Sequence, residues 1–429
     1  MDSEILDELL EEQARQEAAR EVDGHPGWRV TLYTMWVAQL FAMIGFAFVM
    51  PFMPFYVRQL GVPESRVPIW AGLLTSGCGL TMSVAAPLWG HLADRHGRKL
   101  MVQRAMFGGA VILSAMAYVR NVKQLLGLRI VQGAVTGTVS ASIALVSSVV
   151  PMASMGFALG MMQTAVFVGN SIGPYLGGIA AEQFGYRIPF LVTGGLLISG
   201  GVLVLIGAKE RFTRPAGGSE EAANSFWDML TSFYEIATAP GVLILLFVYT
   251  LMNLSNSFVG PIFPLFVEKV TGTPEKAAAS ATGLLLMVSG FTAALASVAA
   301  GRLSDRHGHK LVLVCCSVFA GLVCFPHVAA RNMDQLLFLR ALAGLGAGGM
   351  APAMNAMIAT AVPRRNLGKA YGLTTTAGAF GWAIGPFLGG VAATQFGLRA
   401  PFAVMGCLLL GMALMAQRGI RGANGVVDA

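Results

Sequence analysis

The chain has 429 residues, of which 55% are hydrophobic and 12% are charged, and its formal net charge is +7. Soluble domains carry about a quarter charged residues. This composition therefore excludes an ordinary soluble fold and indicates that most of the chain lies in a lipid bilayer. The positive charge lies in short loops between apolar segments, so we expect a membrane topology signal and no binding to nucleic acid.

The predicted elements are long apolar segments, each close to the roughly 20 residues that a membrane helix needs. The first covers residues 31–56, reads TLYTMWVAQLFAMIGFAFVMPFMPFY and holds no charged side chain. Similar segments follow at 68–90, 99–119, 122–150, 155–181, 188–208, 241–267, 277–301, 310–330, 333–362, 367–396 and 400–417. This pattern predicts an all-α polytopic membrane protein with about 12 transmembrane helices and disfavours a β-barrel, whose strands are short and alternating.

Lysine and arginine are concentrated in every second loop, which orients the chain. If the N-terminus is inside, the cytosolic loops hold the larger share: Arg95, Arg98, Lys99, Lys209, Arg211, Arg214, Arg302, Arg306, Lys310, Arg364, Arg365, Lys369, Arg418 and Arg421. We therefore expect both termini in the cytosol, with residues 1–30 and 418–429 as tails, in a bacterial cytoplasmic membrane. The acidic start of the chain is unlike the basic start of a signal peptide.

Patterns typical of enzymes and of nucleotide-driven pumps are missing from the sequence. There is no G-x-x-x-x-G-K-[ST] loop and no H-E-x-x-H pair. The five cysteines lie in apolar segments without the spacing of metal ligands, so we expect buried packing residues: Cys78, Cys315, Cys316, Cys324 and Cys407. We expect neither an enzyme nor a cofactor.

The chain contains an internal repeat with an offset near 210 residues. GHLADRHGRKL at 90–100 returns as GRLSDRHGHKL at 301–311, and GNSIGPYLGG at 169–178 returns as GWAIGPFLGG at 381–390. PFMPFYV at 51–57 resembles PIFPLFV at 261–267 more weakly. Six spans in each half give both copies one orientation, which is a parallel repeat. We predict six-helix bundles at 31–208 and 241–417, joined by a cytosolic linker at 209–240.

The first motif in chain order follows the second span. Gly90 permits close approach of another helix, and Asp94 can stabilise the positive end of a neighbouring helix or pair with an arginine. Because the motif occurs twice, we predict that it forms a conformational latch made of Gly90, Asp94, Arg95, Gly97, Arg98, Asp305 and Arg306. In the second copy, His309 stands at the position of Arg98.

Two further motifs lie inside spans. Arg129, with Gly133 one turn later, lies in the fourth span, where a charged side chain is costly and marks function by default. The alternative is that Arg129 extends from near the helix end to the membrane surface. The fifth span carries proline and small residues that bend and pack a helix: Gly169, Gly173, Pro174, Gly177 and Gly178. Simple helix packing is the alternative for this motif.

Together these motifs resemble the major facilitator superfamily, and the chain looks like a member of its twelve-helix drug:proton antiporter subfamily. The resemblance runs from about Thr31 to Gln417 and rests most on residues 90–99 and 169–178. It implies alternating access, a small amphipathic substrate and protons as partners, and a monomer in the bilayer. It also implies that Arg129 and Gly133 act in proton transfer, and we predict a relay with Asp94.

The substrate pocket is expected to be mostly apolar with a few polar groups. The candidate residues lie in spans that line the cavity of this fold: Phe46, Phe52, Met161, Gln163, Phe167, Asn170, Asn253, Asn256, Phe258, Asn355 and Phe380. No acidic side chain lies deep in these spans, which favours neutral or anionic amphiphiles. Two alternatives stay open, an exporter of one dedicated sugar, siderophore or lipid, and a membrane receptor without flux.

Overall fold

The computed structural model describes residues 27–210, 242–361 and 367–419, and its regular elements are helices. Residues 1–26 and 420–429 of the predicted tails, and all but the first two residues of the predicted linker, lie outside the described residues. The first half contains α1 (Trp28–Phe48), α2 (Met53–Gln59), α3 (Val67–His96), α4 (Arg98–Met116), α5 (Val122–Val135), α6 (Thr138–Val149), α7 (Met155–Phe184) and α8 (Arg187–Gly207). The second contains α9 (Val242–Phe258), α10 (Phe263–Thr271), α11 (Glu275–His307), α12 (His309–Ala329), α13 (Met333–Ala361), α14 (Leu367–Phe396) and α15 (Ala400–Gly419).

The helices form two bundles with the same internal order, which confirms the predicted fold class. In the first bundle α1 packs along α7 and α8, and α3 packs along α5. In the second, α9 packs along α14 and α15, and α11 packs along α13. α1 begins and α8 ends at one face of the molecule, here called the terminal face, where Lys209 N donates to Thr31 Oγ1 at 3.1 Å. The opposite face, where α2 ends and α11 begins, is called the far face.

Eleven helical segments of the described residues are long and apolar enough to cross a membrane. One predicted span, at 99–119, has no match among these eleven segments. It corresponds to α4. Its first turns carry Arg98, Lys99 and Arg104, and these charged side chains reduce its apolar length. α4 nevertheless packs along α8 as an integral member of the first bundle.

Three predicted spans are continuous in sequence pattern but broken in the structure. The first breaks at residues 49–52, which include Pro51, and the seventh breaks at 259–262, which include Pro261. Proline lacks a backbone N–H and interrupts the helical hydrogen bonds, which explains both breaks. The fourth span breaks at Thr136 and Gly137 into α5 and α6. The apolar pattern alone contains no sign of these breaks.

The break in the fourth span depends on glycine, because Gly137 has a φ of 147°. We expect Gly137→Ala to lower stability by roughly 1–3 kcal/mol, since other residues are strained at such angles. Space is not the reason, because the nearest atom to an added Cβ would be Ser140 Oγ at 3.9 Å. Thermal unfolding in detergent measures the effect. Gly127→Ala in α5, with no atom within 4 Å of an added Cβ, is the matched control and should be neutral or slightly stabilising. Equal melting temperatures for the two variants would contradict the prediction.

The cysteines differ in part from the expectation of buried packing. Cys324 is buried, and Cys78 and Cys316 are partly buried, but Cys315 and Cys407 are exposed. Both exposed residues lie on helices α12 and α15, which pack against each other at the edge of the second bundle. The prediction of burial was wrong for these two residues, because an apolar segment also has a side that faces lipid.

Candidate functional site

Two helix crossings, both mediated by glycine, join the bundles at the far face. In the first, α7 crosses α11. A Cβ atom on Gly178 would overlap the carbonyl oxygen of Ala279, and one on Gly283 would overlap that of Pro174. Only glycine permits two helix backbones to approach this closely. The crossing therefore depends on the identity of both residues.

The second crossing repeats the first with α14 and α3. A Cβ atom on Gly390 would overlap the carbonyl oxygen of Pro68, and one on Gly72 would overlap that of Pro386. The backbone N–H of Phe387 also donates to Ser76 Oγ at 3.0 Å. The last glycine and the proline of each motif copy therefore lie where the two halves meet.

The remaining glycines of the fifth-span motif have a different neighbour. Added Cβ atoms on Gly169, Gly173 and Gly177 would all crowd α1, at Met43, Ile44, Ala47 and Phe48. This face of α7 holds the first bundle together, whereas Pro174 and Gly178 meet the second bundle. The motif thus serves two contacts at once, one within the bundle and one between bundles.

Side chains of the same helices are exposed toward the terminal face. A Cβ atom on Gly290 of α11 would meet Ser171 Oγ of α7. Phe167, one turn beyond Ser171 toward the terminal face, is 45% exposed, and Phe380 on α14 is 56% exposed. A Cβ atom on Gly160 would have no neighbour within 4 Å. Among the described residues, the two bundles are therefore in close contact at the far face, whereas α7 and α14 expose side chains toward the terminal face.

The predicted latch residues lie at the terminal face. Arg95, Asp305 and Arg306 are exposed, and an added Cβ on Gly90 would meet nothing within 4 Å. Gly97 is buried with a φ of 94° at the start of α4. The side chain of Asp94 lies outside the described part of the structure. The latch stays a prediction, and it concerns the conformation in which this face closes.

One acidic residue that the sequence reasoning missed organises this end of the first bundle. Both carboxylate oxygens of Glu210 accept backbone N–H groups at the start of α4, from Arg98 and Lys99, each at 2.8 Å. Lys99 Nζ in turn donates to the carbonyl oxygens of Leu205 and Ala208 at the end of α8. Each charge therefore lies at the helix end of opposite partial charge, and this stabilises both helix ends.

Arg129 points into the first bundle. Its Nη1 donates to Gln132 Oε1 at 3.1 Å, and its Nη2 lies 3.8 Å from Met53 Sδ in α2. Its Nε atom is buried and has no hydrogen-bond partner in the described structure. The guanidinium thus lies among α2, α3 and α5, and it does not extend from the helix end to the membrane surface.

Gly133 brings α5 close to α3 beside this arginine. A Cβ atom on Gly133 would overlap Cys78 O and Thr81 Oγ1, and Thr81 Oγ1 donates to Ile130 O at 2.9 Å. The second bundle repeats the glycine, since a Cβ on Gly344 would overlap Thr292 Oγ1 and Ser289 O. The matching arginine there lies differently, with Arg340 Cζ 3.5 Å from the centre of the Phe263 ring.

The predicted substrate residues fall into three groups in this conformation: buried, partly buried and exposed. Phe52 and Phe258 are buried in the bundles, and Phe52 packs on Tyr186 and Phe190 with ring centres 5.8 and 5.5 Å away. Partly buried positions are held by Phe46, Met161 and Asn253. The exposed group is Gln163, Phe167, Asn170, Asn256, Asn355 and Phe380.

A buried amide next to this group was also missed by the sequence reasoning. Gln39 of α1 is 1% exposed, and neither its Oε1 nor its Nε2 has a hydrogen-bond partner in the described structure. Its neighbours on α7 are Met162, Gln163 and Val166. A buried amide without partners costs roughly 1–3 kcal/mol.

Comparison with known proteins places the chain in a family. Residues 35–274 and 245–421 match the sequence profile of the Major Facilitator Superfamily. The Lactococcus lactis protein named multi-drug resistance efflux pump PmrA homolog is 32% identical, over 87% of this chain and 90% of the relative. The Serratia proteamaculans multidrug resistance protein MdtG is 31% identical, over 89% of this chain and 92% of the relative.

Solved structures with the same fold include transporters of several kinds. The nucleoside transporter NupG superposes with a TM-score of 0.76 at 12% identity, over 91% of this chain and 100% of that one. The human organic anion transporter MFSD10 superposes with a TM-score of 0.67 at 19% identity, over 92% of this chain and 100% of that one. At these identities the likeness concerns the fold alone. With the profile match and the relatives above, the chain is a multi-pass membrane protein that belongs to the major facilitator superfamily.

Proposed function

We propose that the protein is a secondary transporter that exports small amphipathic molecules by alternating access, in exchange for protons. The observation that carries this proposal is the asymmetry between its faces: glycine crossings close the far side, and α7 and α14 expose side chains toward the terminal side, which we take to be the open side. Two parallel repeats that rock about a central site would expose that site to each side in turn. The names of the relatives, which are drug efflux pumps, support export of drug-like molecules.

The open side is the cytosolic side in this proposal. The lysine and arginine excess of the loops next to the terminal face supports that orientation, with both termini in the cytosol and the protein in the cell membrane. The described conformation is then inward-facing, ready to accept cargo from the cytosol or from the inner leaflet. A monomer suffices, because one chain supplies both halves of the site.

The cargo binds between the bundles, at the exposed group of candidate residues. Aromatic side chains such as Phe167 and Phe380 supply adaptable apolar surface, and Asn170 and Asn256 supply polar contacts. A pocket with amides and without a deep carboxylate favours neutral or anionic amphiphiles over cations.

Proton coupling is assigned to Arg129 and Asp94. Of the two charged residues predicted to act in coupling, Arg129 is the one whose side chain is described, and Gly133 sets how closely its helix approaches α3. A change in the charge or hydrogen bonding of Asp94 at the terminal end of α3 would shift that helix and so change its contacts with α5. The relay is therefore a hypothesis about α3 and α5 as a unit.

A reconstitution experiment tests the proposed function. Purified protein in liposomes is given a pH gradient, and a fluorescent amphipathic drug is followed beside an internal pH dye. We expect drug movement that dissipates the gradient and that falls at least tenfold in Asp94→Asn, while the exposed-loop variant Arg120→Ala behaves as wild type. Drug movement that does not depend on the pH gradient would contradict proton coupling and leave the transporter assignment intact. Absence of movement across a broad drug panel would favour a dedicated cargo or a receptor.

A further inference from the structure

A cluster of charged side chains spans the two bundles at the far face. Arg58, near the end of α2, donates both Nη groups to Glu268 of α10, at 2.8 and 2.9 Å. Its Nη1 also lies 3.2 Å from Glu275 Oε2, at the first residue of α11. Two-pronged contacts between arginine and a carboxylate are among the stronger polar interactions in proteins. Three side chains thus connect the halves directly.

An aromatic platform fixes the geometry of this cluster. Tyr186, between α7 and α8, donates its hydroxyl to Glu275 Oε1. The Tyr186 ring stacks on Phe52 and Phe55, with ring centres 5.8 and 6.5 Å away, and Arg58 Cζ lies 5.7 Å from the centre of Phe55. Arg58 and Tyr186, both in the first half, therefore contact the two carboxylate oxygens of Glu275.

The protonation states suit a permanent ion pair. The pKa of Arg58 is raised above its usual value, mainly by its hydrogen bond to Glu268. The pKa of Tyr186 is also raised, first by burial and then by its hydrogen bond to Glu275. Arg58 therefore stays charged and Tyr186 stays a hydrogen-bond donor at physiological pH.

The cluster is partly shielded from water, and this determines how much its ion pairs contribute to stability. The side chains of Arg58, Glu268 and Glu275 are 23%, 24% and 32% exposed, whereas that of Glu64 is 79% exposed. Exposed ion pairs contribute little to stability, and shielded ones are screened less. Glu64 Oε1 lies 2.9 Å from Arg58 Nη2 and belongs to the same half, so Arg58 keeps a partner when the halves part.

The repeat explains why these residues meet. Arg58 and Glu268 are separated by 210 residues, the same offset that relates the two halves. They directly follow the related segments PFMPFYV and PIFPLFV, and are therefore equivalent positions of the repeat. Equivalent positions near the axis that relates two repeats lie close together. At this pair the two copies carry opposite charges.

We propose that Arg58, Glu268, Glu275 and Tyr186 form an ionic gate, which holds the far side closed and sets the balance between the inward-facing and outward-facing states. This gate rests on the proposed function, because alternating access requires that it break and re-form in each cycle. It acts on the face opposite to the predicted Asp94 latch. Opening the far side replaces the contacts between halves with the Arg58–Glu64 pair and water.

Charge exchange at the equivalent positions tests the gate. Hydrogen exchange is measured by mass spectrometry on the whole protein in lipid nanodiscs, for Arg58→Glu, Glu268→Arg and the double variant. In each single variant we expect exchange to rise about tenfold or more at residues 58–66 and 268–276. Exchange should fall at residues 91–98 and 302–309, because the terminal face closes when the far face opens. The double variant should return both faces toward wild type.

Two features keep this test decisive. Arg66→Glu makes the same charge change at an exposed site of the same face and should leave exchange unchanged. If a charge reversal prevents folding, Arg58→Gln and Glu275→Gln remove the contacts without repulsion and should give the same pattern. Unchanged exchange, or a rise at the far face without the fall at the terminal face, would overturn the gate. The measurement needs no cargo, so failed drug transport with the expected exchange pattern would refute the proposed function alone.

Discussion

A valine at Gly178 is expected to abolish drug transport while the protein remains folded. Its side chain would meet the backbone of Ala279 and Ser280 across the α7–α11 crossing. Overpacking of this kind costs about 1–3 kcal/mol, and here it falls only on the state in which the far face is closed. The far-closed population should therefore drop roughly 5- to 150-fold. Liposome drug flux measures the loss, and a circular dichroism melt checks the fold.

The same helix offers a matched control for this prediction. Gly160→Val places the same side chain on α7, where no atom lies within 4 Å of an added Cβ. We expect it to retain most of the flux. Gly390→Val, at the related α14–α3 crossing, should behave like Gly178→Val. Normal flux in both crossing variants would show that the far face need not close by these contacts.

Replacement of Arg129 by alanine is expected to lower drug movement driven by a pH gradient at least tenfold. The substitution removes a charge held inside the first bundle and leaves Gln132 Oε1 without its donor at 3.1 Å. Arg129→Lys should also be impaired, because one ammonium group cannot reproduce the forked contacts to Gln132 and Met53. Liposome assays with and without the gradient provide the measurement.

The comparison between driven and undriven flux separates coupling from structure. If Arg129 acts in coupling, drug exchange without a pH gradient should persist in Arg129→Ala while the driven component disappears. Lys123→Ala removes a positive charge from an exposed site of the same helix and should preserve both. Loss of both fluxes with a lowered melting temperature would instead make Arg129 a packing residue. Unchanged driven flux would contradict any role.

The fold was predictable because apolar length and repetition survive in the sequence. The spans, the parallel repeat and the family all follow from patterns in residues 31–417, and the fold class and the family are confirmed. Breaks inside spans were missed, since Pro51 and Pro261 lie within runs that are otherwise long enough to cross. The unusual φ of Gly137 could not be predicted, because nothing in the sequence distinguishes this glycine from the many others. The predicted linker at 209–240 stays untested.

The candidate site was harder to predict because it depends on contacts between distant helices. Motif residues such as Gly178 could be named from sequence, but not the backbone of Ala279 that they meet. The buried amide of Gln39 was not predicted, because a single glutamine in an apolar span forms no recognisable sequence pattern. Arg58 belongs to none of the motifs in the sequence. Arg58 and Glu268 directly follow PFMPFYV and PIFPLFV and are equivalent in the repeat, but equivalence alone does not show that two side chains meet.

The opposite charges at these equivalent positions also constrain how such a chain can evolve. A duplication begins with identical copies, so two copies of the present first half would set one Arg58 against another. Two copies of the second half would set glutamates against each other. Like charges across the closed face would repel, and neither symmetric assembly could shut it by this contact. The present halves are therefore no longer interchangeable, and a single substitution at either position cannot return the chain to its symmetric ancestor without loss of closure.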